Sequence, residues 1–193
     1  TLVALSGETG KVLWTREDDI YGTMLAVGKT HHVLLMSYQP TRFQLDSEKG
    51  GRMSGFDTDT GRKLWTIDAK YQSRPIINDR TVYAQGGAWD LLTGKPVGFE
   101  FHRSYGCGIL SSGAHMLLFR SATLGYYDLS GARRTENYGG IRPGCWINAI
   151  AANGIVLAPD STAGCTCSYL TQAWFALQPQ FPSGTTTPPD KLP

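Results

Sequence analysis

Leu5-Ser6-Gly7-Glu8-Thr9-Gly10-Lys11-Val12-Leu13-Trp14 returns as Phe56-Asp57-Thr58-Asp59-Thr60-Gly61-Arg62-Lys63-Leu64-Trp65, with glycine and tryptophan each displaced by 51 residues. A third, weaker copy runs Trp89-Asp90-Leu91-Leu92-Thr93-Gly94-Lys95, and a fourth, one residue shorter, runs Tyr127-Asp128-Leu129-Ser130-Gly131. The steps between Gly10, Gly61, Gly94 and Gly131 are 51, 33 and 37 residues. Periods of this size mark stacked supersecondary units, each too small to bury its apolar face alone.

Within each copy a strand ends in a bulky residue (Leu5, Phe56, Trp89, Tyr127 and Leu177), a turn follows, and an outgoing strand carries Trp14, Trp65 or Phe99. Glycine after Thr or Ser closes the turn because it adopts the left-handed conformation without steric cost. Ahead of each later copy stand two apolar runs joined by small or polar residues, such as Ile76-Ile77-Asn78-Asp79-Arg80 before Thr81-Val82-Tyr83-Ala84. These read as hairpins. Two hairpins make a four-stranded propeller blade, so the sequence predicts an all-β chain with blades over 24–67, 76–101, 107–137 and 145–178, and residues 1–14 ending an earlier one. Ala4, Gly55, Ala88 and Ala176 precede the bulky residue, where a small side chain is expected to let neighbouring blades approach; Tyr126 breaks that rule. Residues 37–52 read as a surface excursion and the Pro/Thr-rich 179–193 as a tail or linker. His31 and His32 are expected on opposite faces of a strand, and His115 within an apolar one.

Bulk properties narrow the function classes. With 41% hydrophobic residues, 18% charged residues and 23 glycines, the chain is globular and turn-rich. Eighteen basic against 16 acidic residues give a net charge of +2 with no basic run beyond Arg133-Arg134, so neither nucleic acid nor an acidic membrane surface is an expected partner. No apolar stretch approaches the roughly 20 residues of a spanning helix. The chain opens inside the repeated phrase without methionine and is expected to be an excerpt of a longer precursor, the remaining blades being its first partners.

The wording Ala-Leu-Asp-x-x-Thr-Gly-Lys-x-Leu-Trp, matched well by residues 4–14 and 55–65, resembles the pyrroloquinoline quinone (PQQ)-like β-propeller repeat. That family holds eight-bladed quinoprotein alcohol dehydrogenases and the non-catalytic propeller of the outer-membrane protein assembly lipoprotein. The resemblance implies a segment of a seven- or eight-bladed propeller in which Trp14 and Trp65 dock between blades, with Gly10, Gly61, Gly94 and Gly131 in the supporting turns. The segment around Cys145, Cys165 and Cys167 is similar to large bacterial extracytoplasmic members of the class, which implies a periplasmic or exposed home.

Four cysteines, Cys107, Cys145, Cys165 and Cys167, are an even count suited to two disulfides outside the cytoplasm. Cys165 and Cys167 are too close for an unstrained bond to each other, so each is expected to pair outwards with Cys107 or Cys145. The same spacing suits a zinc knuckle poorly. Asp57-Thr58-Asp59-Thr60-Gly61 lacks the glycine and glutamate positions of a calcium loop and reads as a turn.

A quinoprotein dehydrogenase would need a quinone floor, a calcium site and a base, for which Arg142, Trp146, Asn148 and Asp160 are suitable residue types. No motif maps them onto those roles, so the expectation is a non-catalytic scaffold with no cofactor, and PQQ with calcium is the alternative. Its interaction surface for a protein or small ligand is expected on the loops 103–108, 142–146 and 160–169, where Arg103, Tyr105, Arg142, Trp146 and Tyr169 stand beside the cysteines.

Overall fold

Among the described residues five antiparallel sheets follow one another along the chain. The computed structural model describes residues 1–40, 46–48, 51–145, 147, 149–159, 166–169 and 171–178. The first sheet pairs β1 (Leu2–Leu5) with β2 (Val12–Arg16). The second is a four-stranded meander of β3 (Met24–Gly28), β4 (Val33–Ser37), β5 (Arg52–Asp57) and β6 (Lys63–Asp68). The third repeats that order in β7 (Ile76–Asn78), β8 (Thr81–Ala84), β9 (Gly87–Asp90) and β10 (Pro96–Val97). The fourth does so in β11 (Ser111–Ser112), β12 (Met116–Ser121), β13 (Thr123–Asp128) and β14 (Thr135–Tyr138). The fifth comprises β15 (Ile150–Ala152), β16 (Ile155–Ala158) and β17 (Phe175–Leu177). The opening strands β3, β7, β11 and β15 lie side by side in that order, as the innermost strands of consecutive blades do.

Successive side chains of a strand point to opposite faces, so a middle strand between two neighbouring sheets must be apolar throughout. Strand β4 shows this: Val33 and Leu35 enter the core against the third sheet, with Val82, Ala84, Trp89 and Leu91, while Leu34 and Met36 enter the core against the first, with Leu2 and Phe56. Leu117 and Phe119 of β12 likewise face the third sheet, and Leu118 faces the fifth. Four cores thus fill the four seams between five sheets.

Three of the four turns of the repeated phrase are built on one carboxylate, and in the first copy the Ser6 hydroxyl takes that place, accepting from the Thr9 N–H (3.2 Å). Asp57 Oδ1 accepts hydrogen bonds from the backbone N–H of Asp59 (3.0 Å) and Thr60 (2.8 Å) and from the Thr60 hydroxyl (2.8 Å). Asp90 Oδ1 does the same with Leu92, Thr93 and the Thr93 hydroxyl. Gly10, Gly61 and Gly94 then take φ of 68°, 69° and 70°. Gly131 does not. In the shortened fourth copy Asp128 Oδ1 caps Ser130 and Gly131 directly, a side chain at Gly131 would meet Asp128 Oδ2, and the left-handed residue moves on to Arg133 (φ 49°).

The seams are closed by the phrase itself. Trp14 Nε1 donates to the Thr58 carbonyl (2.8 Å) and Trp65 Nε1 to the Leu91 carbonyl (2.9 Å), each three residues before the glycine of the following phrase. A Cβ at Gly61 would stand 2.6 Å from the Trp14 ring, and one at Gly94 would stand 2.8 Å from the Trp65 ring. Two of the small residues expected to let neighbouring blades approach, Ala4 and Gly55, make room within their own sheet, while Ala88 packs in the core shared with the next sheet. Ala4 pairs across the ladder with Trp14 and Gly55 with Trp65, each followed by a register shift, and a Cβ at Gly55 would lie 2.5 Å from the Trp65 indole. It leaves room for the ring to lie over its partner strand.

Three histidines lie elsewhere than expected. His31 ends a 3-10 turn (Lys29–His31) and His32 is left-handed at φ 54°, so neither sits in a strand. His115 lies in the exposed turn before β12.

Two outcomes follow from this packing. Replacing the seam residue, Trp65→Ala, should lower the unfolding free energy by about 3–5 kcal/mol in urea titrations, while Trp174→Ala, at a site 72% exposed, should change it by less than about 0.5 kcal/mol. The turn hydrogen bonds hold the Asp57 and Asp128 carboxyls below the usual aspartate range, so their contribution is present above the unfolded value near pH 4 and lost as pH falls through the lower folded value. Melting temperature should therefore drop between about pH 5 and 2, and Asp57→Asn with Asp128→Asn should flatten that drop.

Candidate functional site

The seam between the fourth and fifth sheets departs from the aromatic pattern. Two arginines meet there, supplied by β12 (Arg120) and by the β14–β15 connection (Arg142), and a third, Arg103 of the β10–β11 connection, is joined to them through the Arg120 carbonyl while it reaches Gln85 of the third sheet. Arg120 and Arg142 are 0% and 1% exposed, the two largest fully buried side chains of the described residues.

Arg103 works as a bracket. Its Nε donates to the Arg120 carbonyl (2.6 Å), Nη2 to the Cys107 carbonyl (2.8 Å) and Nη1 to Gln85 Oε1 (3.1 Å), with longer bonds to the Gly108 carbonyl. Burial pushes its guanidinium below the ordinary arginine value, a pull aided by the neighbouring Arg120 charge. The loop it holds runs against β12: Ala122 N–H donates to the Tyr105 carbonyl (2.7 Å), Ser104 N–H to the Ser121 hydroxyl (2.9 Å), and a Cβ at Gly106 would lie 2.7 Å from the Arg120 carbonyl. A cleft of about 510 Å³ opens beside Arg103, lined also by Gln85, His102, Ser104 and Asn137.

Arg120 and Arg142 converge on sulfur. Arg120 Nη1 stands 3.5 Å and Arg142 Nη2 3.7 Å from Cys145 Sγ, and Arg142 Nη1 donates to the Cys167 carbonyl (3.4 Å). The Arg142 backbone N–H donates to the Thr171 hydroxyl (3.3 Å). The Tyr105 ring covers Arg120, with the guanidinium carbon 5.3 Å from its centroid. Arg120 Nε and Nη2 and Arg142 Nε make no hydrogen bond of normal geometry. Burial opposes the Arg120 charge, but Cys167 and Tyr105 close by, with the charge of Cys167 and Cys145, hold it above the ordinary arginine value. Among the described residues no carboxylate forms an ion pair with any of the three arginines.

The expected surface residues therefore divide. Tyr105 (51%) and Tyr169 (58%) are exposed, but Arg142 is buried and Arg103 is largely consumed by carbonyls, since a guanidinium under a loop can satisfy more backbone groups than one above it. Trp146, Asn148, Asp160 and Cys165 lie outside the described residues. Among the described residues no disulfide links Cys107, Cys145 and Cys167 to one another: Cys107 is exposed with its carbonyl on Arg103, while Cys145 and Cys167 are half-buried around Arg142. Among the described residues no group of His, Cys, Asp and Glu could hold a metal ion. Sequence reasoning passed over Arg120, which ends the apolar run Met116-Leu117-Leu118-Phe119, and the exposed Ile147 (57%) and Trp174 (72%).

No family model matches this chain, and no curated protein does. Solved structures do. BamB from Moraxella catarrhalis superposes with a TM-score of 0.53 at 17% identity, over 81% of this chain and 51% of that one. The computationally designed proteins Ika4 and Ika8 give 0.52 and 0.51 at 18% identity, over 86% and 80% of this chain and 94% and 48% of theirs. The fold is that of a β-propeller segment. The chain spans about half the length of the BamB chain it matches. No described helix is long and apolar enough to cross a membrane.

The Arg103 bracket has a measurable role. Arg103→Ala should speed amide hydrogen exchange over residues 104–108 by about tenfold or more and destabilise the chain by about 1–3 kcal/mol, leaving exchange in Val33–Ser37 unchanged.

Proposed function

We propose that this chain is a non-catalytic PQQ-like propeller segment acting as an interaction scaffold in a larger exported bacterial protein. One observation carries the proposal: the exposed Tyr105 and Tyr169 stand on loops whose backbone carbonyls, at Cys107 and Cys167, are held from beneath by Arg103 and Arg142. Aromatic side chains on a backbone that has already lost its freedom bind at little further entropic expense, which is the economy of a recognition surface. Trp174, three residues after Thr171, adds a further exposed ring. The conspicuous residues of the repeat are occupied by turns and seams, and so are not available for chemistry.

The remaining blades are the second partner in this proposal. Leu5, Val12 and Leu13 of the two-stranded first sheet are 58%, 60% and 63% exposed, a row of apolar side chains that further strands of the same protein would cover. The extracytoplasmic placement rests on the resemblance of the repeat and the even number of cysteines.

Two measurements on the full-length protein test the proposal. Titration with PQQ and Ca²⁺, following quinone absorbance and dye-linked alcohol oxidation, should give neither saturable binding nor turnover; both together would replace the scaffold with a quinoprotein dehydrogenase. Proteins retained by the wild type from its own envelope extract should be lost from the triple variant Tyr105→Ala, Tyr169→Ala, Trp174→Ala at unchanged melting temperature. Retention by the variant would remove this face from the account.

A further inference from the structure

We propose that the cleft beside Arg103 is a binding site for a neutral saccharide. It opens between the third and fourth sheets with a volume of about 510 Å³, a size that small-molecule sites share. The β8–β9 turn contributes Gln85, the β10–β11 connection Phe101, His102, Arg103 and Ser104, the end of β12 Ser121, and β14 Thr135 and Asn137.

The polar wall is built by the fourth sheet. Thr135 and Asn137 stand two apart on β14 and so share a face, while Glu136 between them turns to the opposite face, where it meets the Tyr126 hydroxyl and Arg134. Gly125 of β13 pairs with Asn137 across the ladder. A Cβ there would meet the Phe119 ring at 2.8 Å, Ser121 Cβ at 2.9 Å and Asn137 Oδ1 at 3.2 Å. Gly125 is outside the left-handed region, so its small size and not its backbone freedom is what the position uses. It lets Ser121 and Asn137 approach one another from the two strands that flank β13. On the other side Phe101 is fixed by Phe99, stacked at 5.4 Å, and by Phe119, edge-on at 4.7 Å.

The chemistry of the lining selects the ligand class. Hydroxyls of Ser104, Ser121 and Thr135, amides of Gln85 and Asn137 and the His102 imidazole each both donate and accept hydrogen bonds. Sugar hydroxyls do the same, and Phe101 adds an apolar surface for the C–H face of a pyranose ring. The lining holds no carboxylate, and all three nitrogens of its one guanidinium, Arg103, already donate to Gln85 and to backbone carbonyls. An anion would therefore find no unused guanidinium N–H there and would meet acceptors as often as donors. An apolar ligand would strand the polar groups. The Thr135 hydroxyl is already buried without a partner, and among the described residues the His102 and Asn137 side chains make no hydrogen bond. A buried hydroxyl without a partner is costly, which is what a hydroxylated ligand would relieve.

The test is an amide NMR titration of the full chain with glucose, galactose, mannose and N-acetylglucosamine, and with glucuronate as the acidic counterpart of glucose. At least one neutral sugar should give saturable shifts with a Kd of about 1–10 mM, confined to the side-chain amides of Gln85 and Asn137 and the backbone amides of residues 101–104, with Val33–Ser37 unmoved. Asn137 is exposed, so Asn137→Ala should weaken binding about fivefold or more at unchanged melting temperature. Thr135→Val, which keeps the shape and drops the hydroxyl, should weaken it about threefold or more without lowering the melting temperature. The proposal fails if no neutral sugar gives saturable shifts, if glucuronate binds more than about fivefold tighter than glucose, or if Asn137→Ala binds as the wild type does.

Discussion

The structure depends on a tryptophan seated on a glycine. Trp14 and Trp65 each lay an indole where the side chain of the next phrase's glycine would otherwise be, and each donates its N–H to the carbonyl three residues before that glycine. The ring brings apolar area to the seam, and the hydrogen bond fixes where along the neighbouring sheet that area lands. Neither residue can do this alone. A Cβ at the glycine would push the ring away, and a ring without the carbonyl could slide. Once two seams are set in this way, each middle strand is covered on both faces, which is why Val33–Met36 can be apolar without exposing anything.

The device weakens along the chain. At the third seam no tryptophan follows the phrase, and Phe99 fills the gap by packing on Tyr83 and Tyr127 at ring separations of 5.1 and 5.0 Å. At the fourth, beyond the apolar contacts of Leu118, Leu124 and Ala158, the seam closes around Arg120 and Arg142. A buried guanidinium is a poor substitute for an indole as glue, because its desolvation offsets much of what its contacts return. It is a good device for holding irregular loops, since its five N–H groups can meet several carbonyls at once. The chain therefore passes from regular, aromatic seams to a polar one that carries exposed rings and half-buried cysteines, and the proposed interaction surface belongs to that end.

Much of the architecture could be read from the sequence because its signals are local. Asn, Asp and Gly at turns, alternation in the strands and the Asp-to-Gly spacing all act within a few residues, and the all-β propeller expectation rests on them. The site was less legible. Arg120 is the last residue but one of an apolar strand, and nothing in the run Met116 to Phe119 distinguishes a charge that points into a seam from one that caps a strand in water. Arg142 beside Pro143-Gly144-Cys145 looked like a surface loop, yet it lies beneath the loop and not above it. Gly131 carried the repeated phrase but not its conformation, because removing one residue lets Asp128 cap the glycine directly.

The sequence by itself determined the repeating unit and the turns that bound it, since these follow from backbone preferences and a period-two pattern that no distant contact needs to supply, and the resemblance of the repeat added the docking of Trp14 and Trp65. Only the tertiary structure decided which face of each strand meets which neighbour, that Gly55 makes room for its own sheet's tryptophan, and that Arg120, Arg142 and Cys145 meet at one point. These residues are separated by 22 and three positions in the chain but come from a strand and a connection that the seam brings together. Such convergence depends on how sheets stack, and stacking is set by the sum of all seams rather than by any local stretch of sequence.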